Sequence, residues 1–161
     1  MIRVTGLNHA VLYVRELERS VQFYQSVFGF EEVIYHPGRI ALLRIPGSSN
    51  HHDLGLIPVG LEAPTLPPGG IGLYHLAWKV ETIEDLAKAS QLLQNIGSFR
   101  GASDHGAVKS VYGQDPDGHE FEITWELPPE AWGEFAHHAI IAPLDLPREL
   151  KRYGNSETSA N

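Results

Sequence analysis

A repeat restricts the fold of this chain more than any other feature. Leu7-Asn8-His9 and Leu73-Tyr74-His75 open two similar stretches at an offset of 66 residues. Each stretch reads as strand, helix, strand, strand, strand, so the sequence predicts a duplicated βαβββ unit. In the first copy, residues 7–14 alternate with His9, Val11 and Tyr13 on one face, the period of a strand. Leu17, Val21, Tyr24 and Phe28 then fall on one helical stripe within residues 15–28, and Gly29 comes next, where a left-handed cap would sit. Strands are expected over 31–35, 39–45 and 51–57. In the second copy, a strand over 73–80 precedes a helix opened by a Thr82/Asp85 capping box. Its stripe is Ile83, Leu86, Ser90, Leu93 and Ile96, ending at Gly97. Strands over 98–102, 109–112 and 120–126 complete the copy.

The expected class is therefore α+β, with a first module over 1–58 and a second over 72–127. The linker, 59–71, comes after Pro58 and contains Pro64, Pro67 and Pro68, a composition that punctuates rather than packs. A tail over 128–161 carries a short helix over 130–138, expected to dock through Trp132 and Phe135, with closure over a pocket as the alternative. Pro143 and Pro147 are expected to break the chain beyond that helix, and the polar end from Gly154 to fray.

Composition narrows the function. A net charge of −8 argues against nucleic acid or an anionic membrane as the main partner. The chain has no cysteine, which removes disulfides, thiolate catalysis and zinc–cysteine sites. No apolar run approaches a membrane span and Met1 leads into no secretory pattern, so a cytoplasmic protein is expected. Nine histidines among 161 residues direct attention to imidazole chemistry.

His9 and His75 occupy equivalent places in their repeats. A third candidate lies after the turn Asp115-Pro116-Asp117-Gly118, where Phe121, Ile123 and Trp125 alternate with Glu120, Glu122 and Thr124. Glu122 thus points away from the apolar face. Two imidazoles and one carboxylate leave several coordination positions open, a set that suits Fe(II) and that Mn, Zn, Co or Ni also accept.

These residues resemble a known family. Leu-Asn-His9, Leu-Tyr-His75 and Asp-Pro-Asp-Gly-His-Glu-Phe-Glu122 look like the vicinal oxygen chelate superfamily, which includes glyoxalase I, fosfomycin-resistance transferases, bleomycin-binding proteins and type I extradiol dioxygenases. The resemblance covers roughly residues 5–126. It implies an open barrel of two βαβββ modules around a metal held by His9, His75 and Glu122.

Within the superfamily the sequence looks most like the small extradiol ring-cleaving dioxygenases. His52-Asp53-Leu54-Gly55-Leu56 resembles the strand that carries their acid–base histidine. Tyr112 stands where the group keeps a tyrosine that hydrogen-bonds a substrate oxygen. Asp104-His105-Gly106 resembles the segment before that tyrosine, and Arg100 an arginine of some members. The resemblance implies catalytic roles for His52, Tyr112 and His105. Substrate contacts are expected from Arg100, Tyr13 and Trp125. The implied partners are an aromatic diol and O₂, with a homodimer as the expected assembly. Asp53 and His52 should face opposite ways, so either Asp53 serves as a fourth ligand or His52 faces the site. The alternatives are a non-redox metal enzyme (glyoxalase, epimerase or thiol transferase) and a metal-free bleomycin-resistance-type binding protein. His51, His119, His137 and His138 receive no role.

Overall fold

A computed structural model describes residues 1–67 and 69–154. The chain divides into two compact units, Met1–Gly70 and Ile71–Asn161. In the first, β1 (Ala10–Val14), α1 (Leu17–Phe28), β2 (Glu31–His36), β3 (Ile40–Arg44) and β4 (Leu54–Pro58) occur in that order. Its sheet runs β1-β4-β3-β2, with β1 parallel to β4. In the second, β5 (His75–Lys79), α2 (Ile83–Asn95), β6 (Phe99–Asp104), β7 (Val108–Gln114) and β8 (Glu120–Glu126) repeat the order. Its sheet runs β5-β8-β7-β6, again with the first strand parallel to the last, and β9 (Ala142–Pro143) is added beside β6. The duplicated unit is thus repeated in topology as well as in element order.

The helices form where their stripes place them. α1 buries Leu17, Val21, Phe23 and Tyr24, and Gly29 adopts φ 69° so that its N–H returns to the Gln25 carbonyl. α2 is capped by Thr82, whose Oγ1 accepts the Asp85 N–H at 3.1 Å. On the strands, alternation sends one set of side chains to the buried, helix-bearing side. Leu43, Leu54 and Leu56 are fully buried there, each worth about 1.5–3 kcal/mol relative to exposure. Phe121, Ile123 and Trp125 fill the corresponding side of the second sheet. Gly113, on β7, lies so close to Phe121 that an added Cβ would fall 2.5 Å from its ring.

The tail differs from expectation. Instead of one helix over 130–138 there are two short 3₁₀ turns, Pro129–Ala131 and Gly133–Ala136. Trp132 and Phe135 do dock: the Trp132 indole N–H donates to the Leu127 carbonyl at 2.7 Å, and Phe135 covers Gly106. Pro147 does not break the chain but opens α3 (Leu146–Tyr153). In the first helical turn its missing N–H forfeits nothing, and its fixed φ suits a helix. Asp145 caps that helix by accepting the Arg148 N–H at 3.0 Å. The expected fraying of 155–161 lies outside the described residues.

Charge fastens α3 to the second sheet. Lys109, 5% exposed on the helix side of β7, places its ammonium 2.5 Å from Asp104 and 3.9 Å from Glu149, itself 1% exposed. Burial opposes ionisation of Asp104, but Lys109, the Gly106 N–H and Arg148 hold its carboxyl below the usual range. Tyr153 adds a ring contact with Trp125 at 5.2 Å between centroids. No helix among the described residues is long and apolar enough to cross a membrane.

Candidate metal centre

In the second unit the site is built on the sheet face opposite α2. β5 and β8 run parallel with Ala77 beside Glu122 and His75 beside Glu120. β7 lies antiparallel on the other side of β8 and sets Tyr112 directly against Glu122. The turn before β8 fixes this register. The Asp115 carboxylate accepts the N–H groups of Asp117 and His119, each at 2.9 Å, and the His119 ring nitrogen at 2.9 Å. Gly118 supplies the positive φ of 89° that the turn requires.

A chain of polar contacts results. His75 Nε2 is 3.0 Å from Glu122 Oε2. Glu122 Oε1 accepts the Tyr112 hydroxyl at 3.1 Å, and the same hydroxyl lies 2.9 Å from His105 Nε2. His105 Nδ1 is 3.0 Å from the Ile140 carbonyl. Burial first, and then the Glu122 charge and hydrogen bond, push the Tyr112 phenol up to about 12. Tyr112 is therefore a neutral hydrogen-bond donor at physiological pH.

His75 and Glu122 fit a divalent metal. Neutral imidazole nitrogen and carboxylate oxygen are the donor types that such ions take. His75 Nδ1 is buried without a hydrogen-bond partner, 3.8 Å from Glu120 Oε1, the kind of carboxylate that orients a liganding imidazole.

In the first unit, His9 immediately precedes β1, and its ring lies 4.4 Å from that of His52 between centroids. His52 Nδ1 is 3.1 Å from His51 Nδ1. Burial, and then the neighbouring His9 and His51, hold the His52 imidazole below the usual histidine range, so it is neutral at pH 7. Asp53 has a structural task instead. Its carboxylate accepts the Ile45 N–H at 2.8 Å, the Ser48 hydroxyl at 2.9 Å and the Asn50 amide at 2.7 Å. Burial opposes its ionisation, and these three donors outweigh that and hold it below the ordinary range. Asp53 thus ties down the 45–50 loop, and His52 stands beside His9. The same anchoring explains why β4 begins at Leu54 rather than near residue 51.

The remaining sequence-predicted residues divide. Tyr13 is exposed on β1, two residues from Val11 on the same face. Arg100 sits at a bulge in β6, its guanidinium donating to Gln114 Oε1 at 2.8 Å and to the Gly97 and Phe99 carbonyls. Trp125 cannot contact a substrate beside Glu122. It is 2% exposed and shares the helix-side core with Phe121 and Ile123, because odd positions of β8 face away from Glu122. Within either unit, no three His, Asp or Glu side chains converge on one point among the described residues. His75 pairs with Glu122, and His9 with His52.

Sequence reasoning missed two residues. The 66-residue offset matches Val11 to Ala77, and their parallel-strand partners are Gly55 and Glu122. Gly55 is thus the repeat equivalent of the carboxylate, a correspondence readable once the strand register is known. A Cβ there would press on Val11 at 3.2 Å and Leu42 at 3.5 Å. The other is Ile140, which acts through its backbone and leaves no side-chain signal.

A family model for the glyoxalase/bleomycin resistance protein/dioxygenase superfamily matches residues 6–123. The chain belongs to that superfamily. A catechol-2,3-dioxygenase of Bacillus subtilis is 33% identical over 129 residues, covering 80% of this chain but 44% of the relative. A biphenyl-2,3-diol 1,2-dioxygenase of Rhodococcus globerulus is 31% identical over 135 residues, covering 81% of this chain and 70% of the relative. The chain thus spans less than half the length of the first relative. Among solved structures, the fosfomycin resistance protein FosX from Listeria monocytogenes, complexed with Mn(II) and sulfate, superposes with a TM-score of 0.63 at 22% identity. The match covers 84% of this chain and all of that one. That likeness shows the fold alone.

Proposed function

We propose that this protein is an extradiol dioxygenase that opens a catechol-type ring with O₂, using a divalent metal, Fe(II) by preference. The observation that carries the reading is the contact chain His75–Glu122–Tyr112–His105, which places a neutral phenol donor against a candidate metal ligand. The identity to two diol dioxygenases points the same way. Gly55 separates this reading from a glyoxalase-type one, because the position equivalent to Glu122 in the first repeat offers no further carboxylate.

His9, His75 and Glu122 would hold the metal. When bound, the metal supplies a Lewis-acidic centre for the two diol oxygens and for O₂. The Tyr112 hydroxyl, within reach of both Glu122 and His105, turns its one proton to a substrate oxygen and sets the plane of the ring. His105 holds that hydroxyl from behind. His52, neutral beside His9, takes a proton from the incoming diol and returns one as the oxygen–oxygen bond breaks. The exposed Tyr13 and Arg100 are the proposed contacts for the outer part of the ring. The carbon–carbon bond next to the diol breaks, both oxygen atoms enter the product, and a muconic semialdehyde or a related acid results.

The test is oxygen uptake by anaerobically Fe(II)-reconstituted protein offered a panel of catechols. A yellow ring-fission product, formed with uptake and lost in Glu122→Ala, is the expected result. Iron retained with every catechol refused would sink the reading in favour of a non-redox reaction.

A further inference from the structure

We propose that the C-terminal segment is a working part of the centre, acting as a tautomer lock on His105. This positioning role rests on the proposed roles of Tyr112 and His105 in ring cleavage. A backbone carbonyl can only accept a hydrogen bond. The Ile140 carbonyl, 3.0 Å from His105 Nδ1, therefore requires the proton on that nitrogen. A neutral ring protonated at Nδ1 presents a bare Nε2, and Nε2 lies 2.9 Å from the Tyr112 hydroxyl. Tyr112 has one proton and two acceptors, Nε2 and Glu122 Oε1 at 3.1 Å. The lock fixes the sense of the His105 contact: Nε2 accepts and cannot donate, so the single phenol proton is shared between Nε2 and Glu122 Oε1 and stays available to a third acceptor. With the opposite tautomer, Nε2–H would donate to the phenol oxygen, and the phenol proton would be committed to Glu122. Nδ1 would then face the carbonyl lone pair to lone pair.

The carbonyl is held from both directions along the chain. Upstream, Phe135 lies on Gly106, so close that an added Cβ there would overlap the ring. Downstream, Ala142 and Pro143 pair with Asp104 and Ser103 of β6, and Glu149 of α3 meets Lys109. His105 comes directly after β6, so both partners of the lock are fixed to the same strand. Substitutions in the tail, remote in sequence from every candidate ligand, should therefore change how Tyr112 presents its proton.

The experiment reads the two ring nitrogens of His105 by ¹⁵N NMR in metal-free, full-length protein, at about pH 8.5, above the ordinary histidine range. The natural chain should show one protonated shift at Nδ1 and one unprotonated shift at Nε2. In the double variant Phe135→Ala/Glu149→Gln the two shifts should converge toward a tautomer average, and Phe135→Leu should keep them apart by refilling the space over Gly106. A proton on Nε2 in the natural chain would overturn the lock. So would an unchanged pair of shifts in the double variant. Because the readout needs neither metal nor substrate, it stands apart from the ring-cleavage assay. Locked shifts with no oxygen uptake would remove the dioxygenase reading and leave the lock, and the reverse result would do the opposite.

Discussion

Glu122 and Asp53 are two buried carboxylates that environment has given different tasks. Glu122 is directed at His75 and Tyr112, whereas every acceptor position used by Asp53 goes to the loop it closes. Tyr112→Phe should keep the metal and lower kcat on the order of 10- to 100-fold, the usual effect of removing an outer partner of a metal centre. Metal content and oxygen uptake, measured on one sample, check this. Asp53→Asn should instead lower stability by about 1–3 kcal/mol through loss of charge-assisted bonds, seen in urea unfolding at pH 7. Its pH dependence has a definite sign. The folded carboxyl titrates below its ordinary value of 3.8, so its contribution is present above that value and disappears as pH falls through the folded one. The natural chain and Asp53→Asn should therefore converge in stability in strong acid. At this scale the sequence was informative about residue type and face. Alternation alone put Glu122 opposite Phe121, and the same alternation, applied consistently, excludes Trp125. The task of Asp53 was not legible, because it depends on a loop folding back to bring Ser48 and Asn50 to the carboxylate.

Elements read well wherever periodicity is local. Both long helices follow apolar stripes in the chain, their caps at Gly29 and Thr82 stand where expected, and each of the eight repeat strands overlaps one expected from the sequence. The tail was misread because Pro147 looks like a breaker unless one knows that it falls in a first helical turn, and because β9 has no pattern of its own at two residues. α3 is held by a buried ion cluster, which gives a contrast that simple packing would not. Lys109→Ala should cost about 3 kcal/mol, the lower end for a broken buried pair, because it removes the ammonium beside Asp104 while Arg148 remains 3.0 Å from Glu149 and 3.9 Å from Asp104. The triple replacement Asp104→Asn/Lys109→Met/Glu149→Gln should be nearly neutral. Chemical unfolding of the two proteins decides the matter, and equal losses would argue against the cluster as the cause. Gly113→Ala, which brings a Cβ within 2.5 Å of Phe121 and 3.0 Å of Leu93, should destabilise by about 1–3 kcal/mol through overpacking, visible as a lower Tm.

Across the whole molecule, duplication gives two units of one topology with different residues at matching places. Position 122 is a carboxylate and its counterpart, position 55, is a glycine. Gly55→Glu restores the symmetry and should retain metal while losing catechol-dependent oxygen uptake. Unaltered uptake would show that the glycine has no bearing on the reaction. The units also differ at their outer margins. In the first sheet, β2 is an outer strand interrupted by a bulge between Glu32 and Ile34 and bearing Glu31 and Glu32, features that discourage another strand from adding. In the second, the corresponding strand β6 is covered by β9 instead. The segment proposed to orient His105 thus also pairs with the Ser103 and Asp104 end of that outer strand. A protease nick between Leu127 and Ala142 that released the tail would uncover the β6 backbone as a template, and the damaged protein would be removed from solution by aggregation as well as silenced.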